Sequence, residues 1–416
     1  MSRNPLKVII IGAGTGGLAL AQGLKTAGVA VEVYEREHAP TDRQQGYRLS
    51  VNAAGCRALK SCLPDAVFAK FVACAAKPSQ SLTFLDERLN RLLAYEIPQN
   101  EHSEVDKERP IARLALRQVL LDGLESIVSF GKKFVAFEDA SDGRVTARFE
   151  DGSTATGDVL IGADGASSPV RAQLLPHAKR VETGITVISG KLGLNGESRE
   201  DIPTPIRRGP TLILGRKGHF MFANAVEYER GNSQAAHHGE EYVMWGVSAP
   251  RDAFGAAKLE TMSGENLKAA ALALMKDWAP ALRRLVEKAD PSNFVTFPVK
   301  TSAPVSPWPT RNVTLLGDAL HNMTPFRGVG ANTALRGAAL LLQALVAVDR
   351  GEKDLLPALA AYEREMIAEG FKAVGVSLAM MRRVHTESAL SRVMAKLVFR
   401  TVDLIKPLQP AFLGRE

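Results

Sequence analysis

Three glycines near the start of the chain, Gly12, Gly14 and Gly17, have the spacing G-x-G-x-x-G, which is typical of a turn that binds phosphate groups. The apolar run at residues 8–11 predicts a buried strand before this turn, and the apolar residues after Gly17 predict a helix behind it. In such a turn Gly12 permits the tight bend, Gly14 lets the backbone approach a pyrophosphate, and Gly17 lets the helix pack on the strand. The free amides and the positive end of the helix then stabilise the phosphate charge.

An acidic residue completes this nucleotide pattern. Residues 29–34 predict a second strand, and Glu35 follows it, 18 positions after Gly17, where a carboxylate binds the ribose hydroxyls of a dinucleotide. The charge of Glu35 disfavours a 2′-phosphate, so NADP is disfavoured at this site, and NAD or the adenosine half of FAD remains. A glycine-rich turn that binds nothing is the alternative, which the correctly spaced strands, helix and acid disfavour.

Two later motifs favour FAD over NAD. Apolar runs at 159–162 and 313–316 predict strands, and Asp164 and Asp318 follow them. In a doubly wound sheet the strand ends face the ligand crevice, and a carboxylate there can bind the polyol chain of a flavin. Gly328 and Gly330 precede a helix predicted to begin near Ala331, whose amides and positive end can stabilise negative charge on a flavin ring.

The three blocks, in this order, resemble the class A flavoprotein monooxygenases of the para-hydroxybenzoate hydroxylase type. The second block carries the family's Asp-Gly with a trailing Ser-x-Val-Arg, and the third carries Gly-Asp and Pro-x-x-Gly-x-Gly-x-Asn. Gly337 departs from the pattern because an acid is often found there. From the motifs and the resemblance, the candidate FAD-binding residues are Gly12, Ala13, Gly14, Gly16, Gly17, Glu35, Arg36, Arg48, Arg113, Asp164, Asp318, Pro325, Gly328, Gly330, Ala331 and Asn332.

The resemblance implies a reaction as well as a cofactor. FAD would be bound non-covalently and reduced by NADPH or NADH, and O2 would then form a flavin hydroperoxide that transfers one oxygen atom to an aromatic or polycyclic small molecule. Hydroxylation is the favoured outcome, and a substrate from secondary metabolism, such as an antibiotic, is expected. Because electrophilic oxygen transfer requires no acid, base or nucleophile from the protein, the catalytic side chains stay unknown.

Three other functions use the same fold. An FAD-dependent reductase of prenyl chains would consume no oxygen with its substrate, and a flavoprotein regulator would bind FAD without turnover. A flavin halogenase is disfavoured, since Trp245 is followed by Gly-Val-Ser and the signature Trp-x-Trp-x-Ile-Pro is missing.

The predicted fold is α/β, with a Rossmann-type FAD-binding domain, an inserted antiparallel β-sheet substrate domain and C-terminal helices. The FAD-binding domain is predicted at 1–75, 105–180 and 295–350, the substrate domain at 76–104 and 181–294, and the helical region at 351–416. Candidate substrate-binding residues are Phe220, Phe222, Trp245, Pro325 and Phe326, for which ordinary sheet core is the alternative. Functional roles for His321 and Arg48 are left open.

Composition restricts the partners. The 52 basic and 45 acidic residues give a net charge of +7, of which +5 falls at 371–416, so the rest of the chain is nearly balanced and nucleic-acid binding is not expected. No metal site is expected, and three cysteines with no metal or CxxC spacing indicate a cytoplasmic protein. No transmembrane segment is expected. The helix predicted at 390–405 is amphipathic and basic, so it either contacts a membrane surface or packs on the FAD-binding domain or a dimer partner. Both monomer and homodimer stay open.

Overall fold

The computed structural model describes residues 5–42, 48–99, 103–229, 241–255 and 258–413. The chain forms two compact units, the first at 1–75, 102–181 and 300–378, and the second at 76–101, 182–299 and 379–416. The helical region predicted as separate at 351–416 is therefore divided between the two units at residue 378.

The elements follow one another as β1 (Lys7–Ile11), α1 (Thr15–Thr26), β2 (Ala30–Tyr34), β3 (Arg48–Val51), α2 (Ala53–Cys62), α3 (Asp65–Cys74), β4 (Ser81–Asp86), β5 (Arg91–Glu96), β6 (Arg109–Ala112), α4 (Arg113–Leu121), β7 (Val128–Ser129), β8 (Phe134–Asp139), β9 (Val145–Phe149), β10 (Thr154–Gly157), β11 (Val159–Gly162), α5 (Pro169–Leu174) and β12 (Arg180–Gly193). They continue as α6 (Gly196–Asp201), α7 (Thr204–Arg208), β13 (Thr211–Leu214), β14 (Phe220–Val226), β15 (Tyr242–Pro250), α8 (Gly264–Leu274), α9 (Pro280–Glu287), β16 (Val295–Ser302), β17 (Val313–Leu315), α10 (Asp318–His321), α11 (Gly330–Asp349), α12 (Leu355–Val384), α13 (Ala389–Leu404) and α14 (Gln409–Leu413).

The first unit is built on a parallel sheet with the strand order β17-β11-β1-β2-β7. Strand β1 lies in its centre, and Val8, Ile9 and Ile10 have no exposed surface, as expected for a β-branched run covered on both faces. Helices α1 and α11 pack against each other on this sheet. The predicted Rossmann-type α/β fold is confirmed.

Helix α11 is the one helix in the described part of the chain that is long and apolar enough to cross a membrane. Leu335, Leu341 and Leu345 on this helix are fully buried in the core of the first unit. Packing in that core therefore explains its apolar composition.

The second unit is built on a mixed sheet with the order β16-β12-β15-β14-β13-β4-β5, in which β13 and β4 are parallel and the other described neighbours are antiparallel. Alternate residues face opposite sides of such a sheet. Met221, Trp245 and Val247 belong to a core cluster with residues of α8 and α9. Trp245 meets Phe294 edge-to-face at 4.9 Å and lies over Gly190, where a Cβ would come within 2.7 Å of the indole ring.

A buried histidine follows α12 in the second unit. The Nδ1 of His385 lies 2.8 Å from the carbonyl oxygen of Met381, and its Nε2 lies 2.8 Å from Oγ of Ser248. Because a carbonyl only accepts, Nδ1 carries the proton and Nε2 accepts from the Ser248 hydroxyl. Burial lowers the pKa of His385 to about 4, and this neutral form is the one that the two bonds require.

We expect the free energy of unfolding to fall by up to about 2 kcal/mol as the pH drops from 7 to 5 through His385 alone. The unfolded histidine titrates near 6.5 and takes up a proton in this range, whereas the folded one stays neutral until about pH 4. Urea unfolding at both pH values should show a smaller loss for His385→Gln than for the wild type. His177→Gln, which removes an exposed imidazole, should lose as much as the wild type; equal losses in all three proteins would contradict the assignment.

Candidate functional site

The glycine turn after β1 has no room for side chains at two positions. Gly12 has a φ of +108°, and a Cβ there would lie 2.5 Å from the carbonyl oxygen of Ala163. A Cβ on Gly17 would overlap the carbonyl oxygen of Gly12. Gly12 and Gly17 are therefore required by the contact of β1 with α1 and with the segment after β11, independently of any ligand.

The start of α1 is open in the way that a phosphate site requires. The N-cap residue is Gly14, so no side chain accepts hydrogen bonds from the first amides of the helix. The first turn also contains no acidic residue. A Cβ on Gly14 would meet no atom closer than 4.0 Å. The amides and the positive helix end are thus free of competing side chains at this position.

Glu35 links the end of β2 to this turn. Its Oε2 accepts a hydrogen bond from the Ala13 amide at 2.7 Å, and its Oε1 accepts one from the Glu37 amide at 3.1 Å. Glu35 is only 8% exposed. A carboxylate has about four lone-pair positions, so these bonds leave capacity for ribose hydroxyls and fix the direction of the group.

Arg117 on α4 is a residue at this end of the site that sequence reasoning missed. Its Nη2 lies 3.7 Å from Oε2 of Glu35, and its Nη1 contacts Oε2 of Glu37 at 2.5 Å. The candidates Arg113 and Arg36 are exposed. Arg113 and Arg117 are one helical turn apart, so the sequence contained the signal, but it did not show which of them faces Glu35.

Arg48, whose role was left open, is almost fully buried at the start of β3. Its Nη2 lies 3.9 Å from Oε1 of Glu108. The Glu108 carboxylate also accepts a hydrogen bond from the Ser50 hydroxyl on the same strand. The structure thus places Arg48 in a local ion pair of the β3 and β6 ribbon.

Asp164 lies on the segment after β11 and has a partly unused carboxylate. Its Oδ2 accepts a hydrogen bond from the Val170 amide at 3.2 Å, whereas its Oδ1 is buried without a hydrogen-bond partner among the described residues. Burial raises the pKa of Asp164. An acceptor that is buried and unpaired is costly, and a donor from a ligand would satisfy it.

The third motif places Asp318 beside the start of α11. Gly317 has a φ of +64° and precedes Asp318, the first residue of α10. Oδ1 of Asp318 lies 3.9 Å from the position that a Cβ on Gly330 would take. Helix α11 begins at Gly330 with no side-chain cap and no acid in its first turn, after Gly328 in the left-handed conformation. A carboxylate and a free helix N-terminus therefore adjoin each other.

Both polar atoms of the Asn332 side chain form hydrogen bonds within the protein. Its Oδ1 accepts a hydrogen bond from the Asn52 amide at 2.9 Å, and its Nδ2 donates to the carbonyl oxygen of Ser50 at 2.8 Å. Asn332 thus fixes the β3 to α2 connection against α11. In the first turn of α11, the amides of Gly330, Ala331 and Asn332 have no partner within the helix, so the backbone offers donors to a cofactor at this position.

Side chains and close approaches connect all three motifs. Arg171 donates from Nη1 to the carbonyl oxygen of Ala319 at 2.6 Å and from Nη2 to that of Ala166 at 3.0 Å. A Cβ on Gly16 would lie 3.4 Å from the side chain of Leu316. Together with the contact of Gly12 and Ala163, these approaches place the motifs side by side in the first unit.

His321 is packed in the core of the first unit. It is 1% exposed, and a Cβ on Gly370 of α12 would lie 2.5 Å from its ring. Burial lowers the pKa of His321, and the nearby Asp318 opposes this shift. The imidazole is therefore held neutral at physiological pH, which suits its position against α12.

The candidate substrate residues do not form one group. Phe220 and Phe222 share a face of β14, whereas Trp245 lies on the opposite face of the sheet, fully buried among the residues of α8 and α9. Trp245 was expected to bind substrate together with Phe220 and Phe222. Its position in the alternating pattern of β15 instead directs its side chain into the core. Pro325 and Phe326 lie in a 3-10 turn of the first unit, where Pro325 is exposed and Phe326 is half-buried.

The arrangement fits FAD. Two uncapped helix starts, the fixed carboxylate of Glu35 and the unpaired oxygen of Asp164 belong to one unit. The sequence profile of a family described as "FAD binding domain" matches residues 5–375. The chain belongs to this family.

Relatives of this family member are FAD-dependent monooxygenases. A dual O-methyltransferase/FAD-dependent monooxygenase of Phaeosphaeria nodorum is 33% identical over 82% of the chain, and the match covers 40% of that protein. The chain thus spans less than half the length of this relative. An FAD-dependent monooxygenase of Trichoderma harzianum is 27% identical over 96% of the chain and 99% of its own length.

A solved structure agrees in fold. A crystal structure from Photorhabdus luminescens, described as a candidate FAD-containing monooxygenase, superposes with a TM-score of 0.82 at 33% identity, over 91% of this chain and 98% of that one. The resemblance to the FAD-dependent aromatic hydroxylases is confirmed.

Substitutions of Gly17 and Gly14 should affect different properties of the protein, because of these two only Gly17 lacks room for a side chain. We expect Gly17→Ala to lower the free energy of unfolding by about 2–3 kcal/mol, because its Cβ would overlap the Gly12 carbonyl. Gly14→Ala should leave the unfolding of the FAD-free protein nearly unchanged and weaken FAD binding about tenfold or more, which corresponds to about 1.4 kcal/mol. Urea unfolding measures the stability and FAD titration measures the affinity. Equal losses of stability, or equal losses of FAD affinity, in the two variants would contradict these separate roles.

Proposed function

We propose that this FAD-binding protein is a monooxygenase that consumes NADPH or NADH and O2 and adds one oxygen atom to an aromatic or polycyclic small molecule, most simply by hydroxylation. The observation that carries the proposal is the assembly of all three FAD motifs in one unit, together with full-length relatives described as FAD-dependent monooxygenases. Bound FAD would supply the electron transfer and the activation of O2.

The residues of the first unit have separate binding tasks. The amides at the start of α1 would bind the pyrophosphate, and Glu35, held by Ala13 and Glu37, would accept hydrogen bonds from the ribose. Asp318 would bind the polyol chain. The free amides at the start of α11 would stabilise negative charge on the ring system, since the positive end of this 20-residue helix is uncapped.

The proposal of an aromatic substrate is supported by one face of the sheet in the second unit, the face that does not form the core. On this face Phe222 and Met244 are half-buried, and Gly246 pairs directly across the strands with Phe222. Half-buried aromatic and thioether side chains offer an apolar surface of the kind that suits planar rings.

The reaction is tested by NADPH and NADH oxidation with a panel of phenols, naphthols and polycyclic phenols, with O2 uptake and product mass measured in 18O2. We expect one panel member to accelerate both oxidation and O2 uptake and to gain one labelled oxygen atom. Substrate reduction without O2 uptake would instead indicate a reductase. O2 uptake that yields only hydrogen peroxide with every compound would contradict oxygen transfer to this substrate class.

The placement of the polyol contact is tested by Asp318→Ala. We expect this protein to stay folded and to lose most of its FAD on gel filtration, because a carboxylate beside the start of α11 is removed. Asp142→Ala, which removes an exposed carboxylate in the turn between β8 and β9, is the matched control and should retain FAD. Full FAD occupancy in Asp318→Ala would overturn this placement.

A further inference from the structure

Helix α13 of the second unit and the turn that follows it expose a row of apolar side chains. Its members are 43–84% exposed, although all are large apolar side chains. We call them the α13 stripe: Leu390, Val393, Met394, Leu397, Val398, Leu404, Ile405 and Leu408. Single exposed apolar residues are ordinary, but a contiguous row marks an interaction surface.

The opposite face of α13 already packs on the sheet. Phe399 stacks on Phe84 at 4.6 Å, and Val402 is buried beside it. Asp403 accepts a hydrogen bond from the Ala94 amide of β5 at 2.9 Å. A surface helix needs one apolar face, and a helix that is apolar on both sides is normally covered on both. The α13 stripe is thus additional to what the fold of the second unit requires.

The spacing of the stripe fits a facing helix. On the helix its central line runs through Leu390, Met394, Leu397, Thr401 and Leu404 in alternating steps of four and three. This is the spacing of two helices that pack side chains into each other's gaps. Leu408 lies beyond the end of the helix, in the 3-10 turn at 406–408.

The size of the stripe fits a dimer. Eight side chains of this exposure present an apolar area on the order of 800 Å², above the 300–600 Å² of the largest patch on an ordinary monomer. About 800 Å² is what each partner contributes to a standard protein interface. We propose that the α13 stripe binds the same stripe of a second copy of this chain, so that the protein is a homodimer joined through its α13 helices.

The charges favour a second protein copy over a lipid surface. Lys396 is directed to the sheet side, where its Nζ lies 3.4 Å from Glu87 and 3.7 Å from Asp86. Arg392 donates to the carbonyl oxygen of Glu387 at 2.7 Å. A helix that lies on a bilayer combines aromatic side chains with lysine and arginine directed to the head groups. The stripe contains no aromatic residue, and two of the three cations of α13 are bound within the unit, while Arg400 is exposed beside the stripe.

The proposal is tested by the mass of the purified 416-residue chain, measured by light scattering during gel filtration and by sedimentation equilibrium. At about 20 µM we expect a dimer, since interfaces of this size have dissociation constants from micromolar to picomolar. Leu397→Glu places a charge in the centre of the stripe and should raise the dissociation constant about a hundredfold or more. Leu390→Glu, one end of the stripe, should weaken the dimer less.

The matched control is Val135→Glu, which changes an equally exposed apolar residue on β8 in the first unit and should leave the dimer intact. A wild-type monomer at this concentration would overturn the proposal, as would a dimer that Leu397→Glu does not weaken. A monomer that floats with vesicles of phosphatidylserine and phosphatidylcholine would assign the stripe to lipid instead. None of these readouts depends on catalytic activity, so a failure here leaves the proposed reaction untouched.

Discussion

The site depends on the close approach of the turn after β1 to the segment after β11. A Cβ on Gly12 would come within 2.5 Å of the Ala163 carbonyl oxygen, so a side chain at this position would separate the two strand ends. From this contact follow the direction of α1 and the position of Asp164. Arg171 then extends the contact to the third motif through the Ala319 carbonyl. One unit thus obtains two helix starts without side-chain caps, together with the carboxylates of Glu35, Asp164 and Asp318.

The nucleotide site and the strands around it were predictable because their signals are local. The glycine spacing, the β-branched run of β1 and the position of Glu35 each follow from neighbouring residues, and the structure has β1, α1 and β2 where the sequence predicted them. Contacts between distant segments were not predictable. Asn332 matched a motif, but only the structure shows that Ser50 and Asn52 occupy its side chain. Arg117 could not be preferred over Arg113 without knowing the rotation of α4.

The second unit shows a related limit. An alternating strand pattern reveals that two faces exist, but it does not show which face is the core when both are apolar. Trp245 was therefore grouped with Phe220 and Phe222, and the structure places it on the other side. The same ambiguity applies to α13, whose sequence predicted an amphipathic helix. Phe399 and Val402 form the face that packs on the sheet, and the more apolar face is exposed.

The central claim is that the first unit binds FAD through these three motifs. It is tested most directly by the absorption spectrum of the purified chain after incubation with FAD and removal of the free cofactor. We expect flavin bands and an equimolar amount of FAD released on denaturation. A folded chain, shown by circular dichroism, that retains no flavin after this treatment would contradict the account at its base.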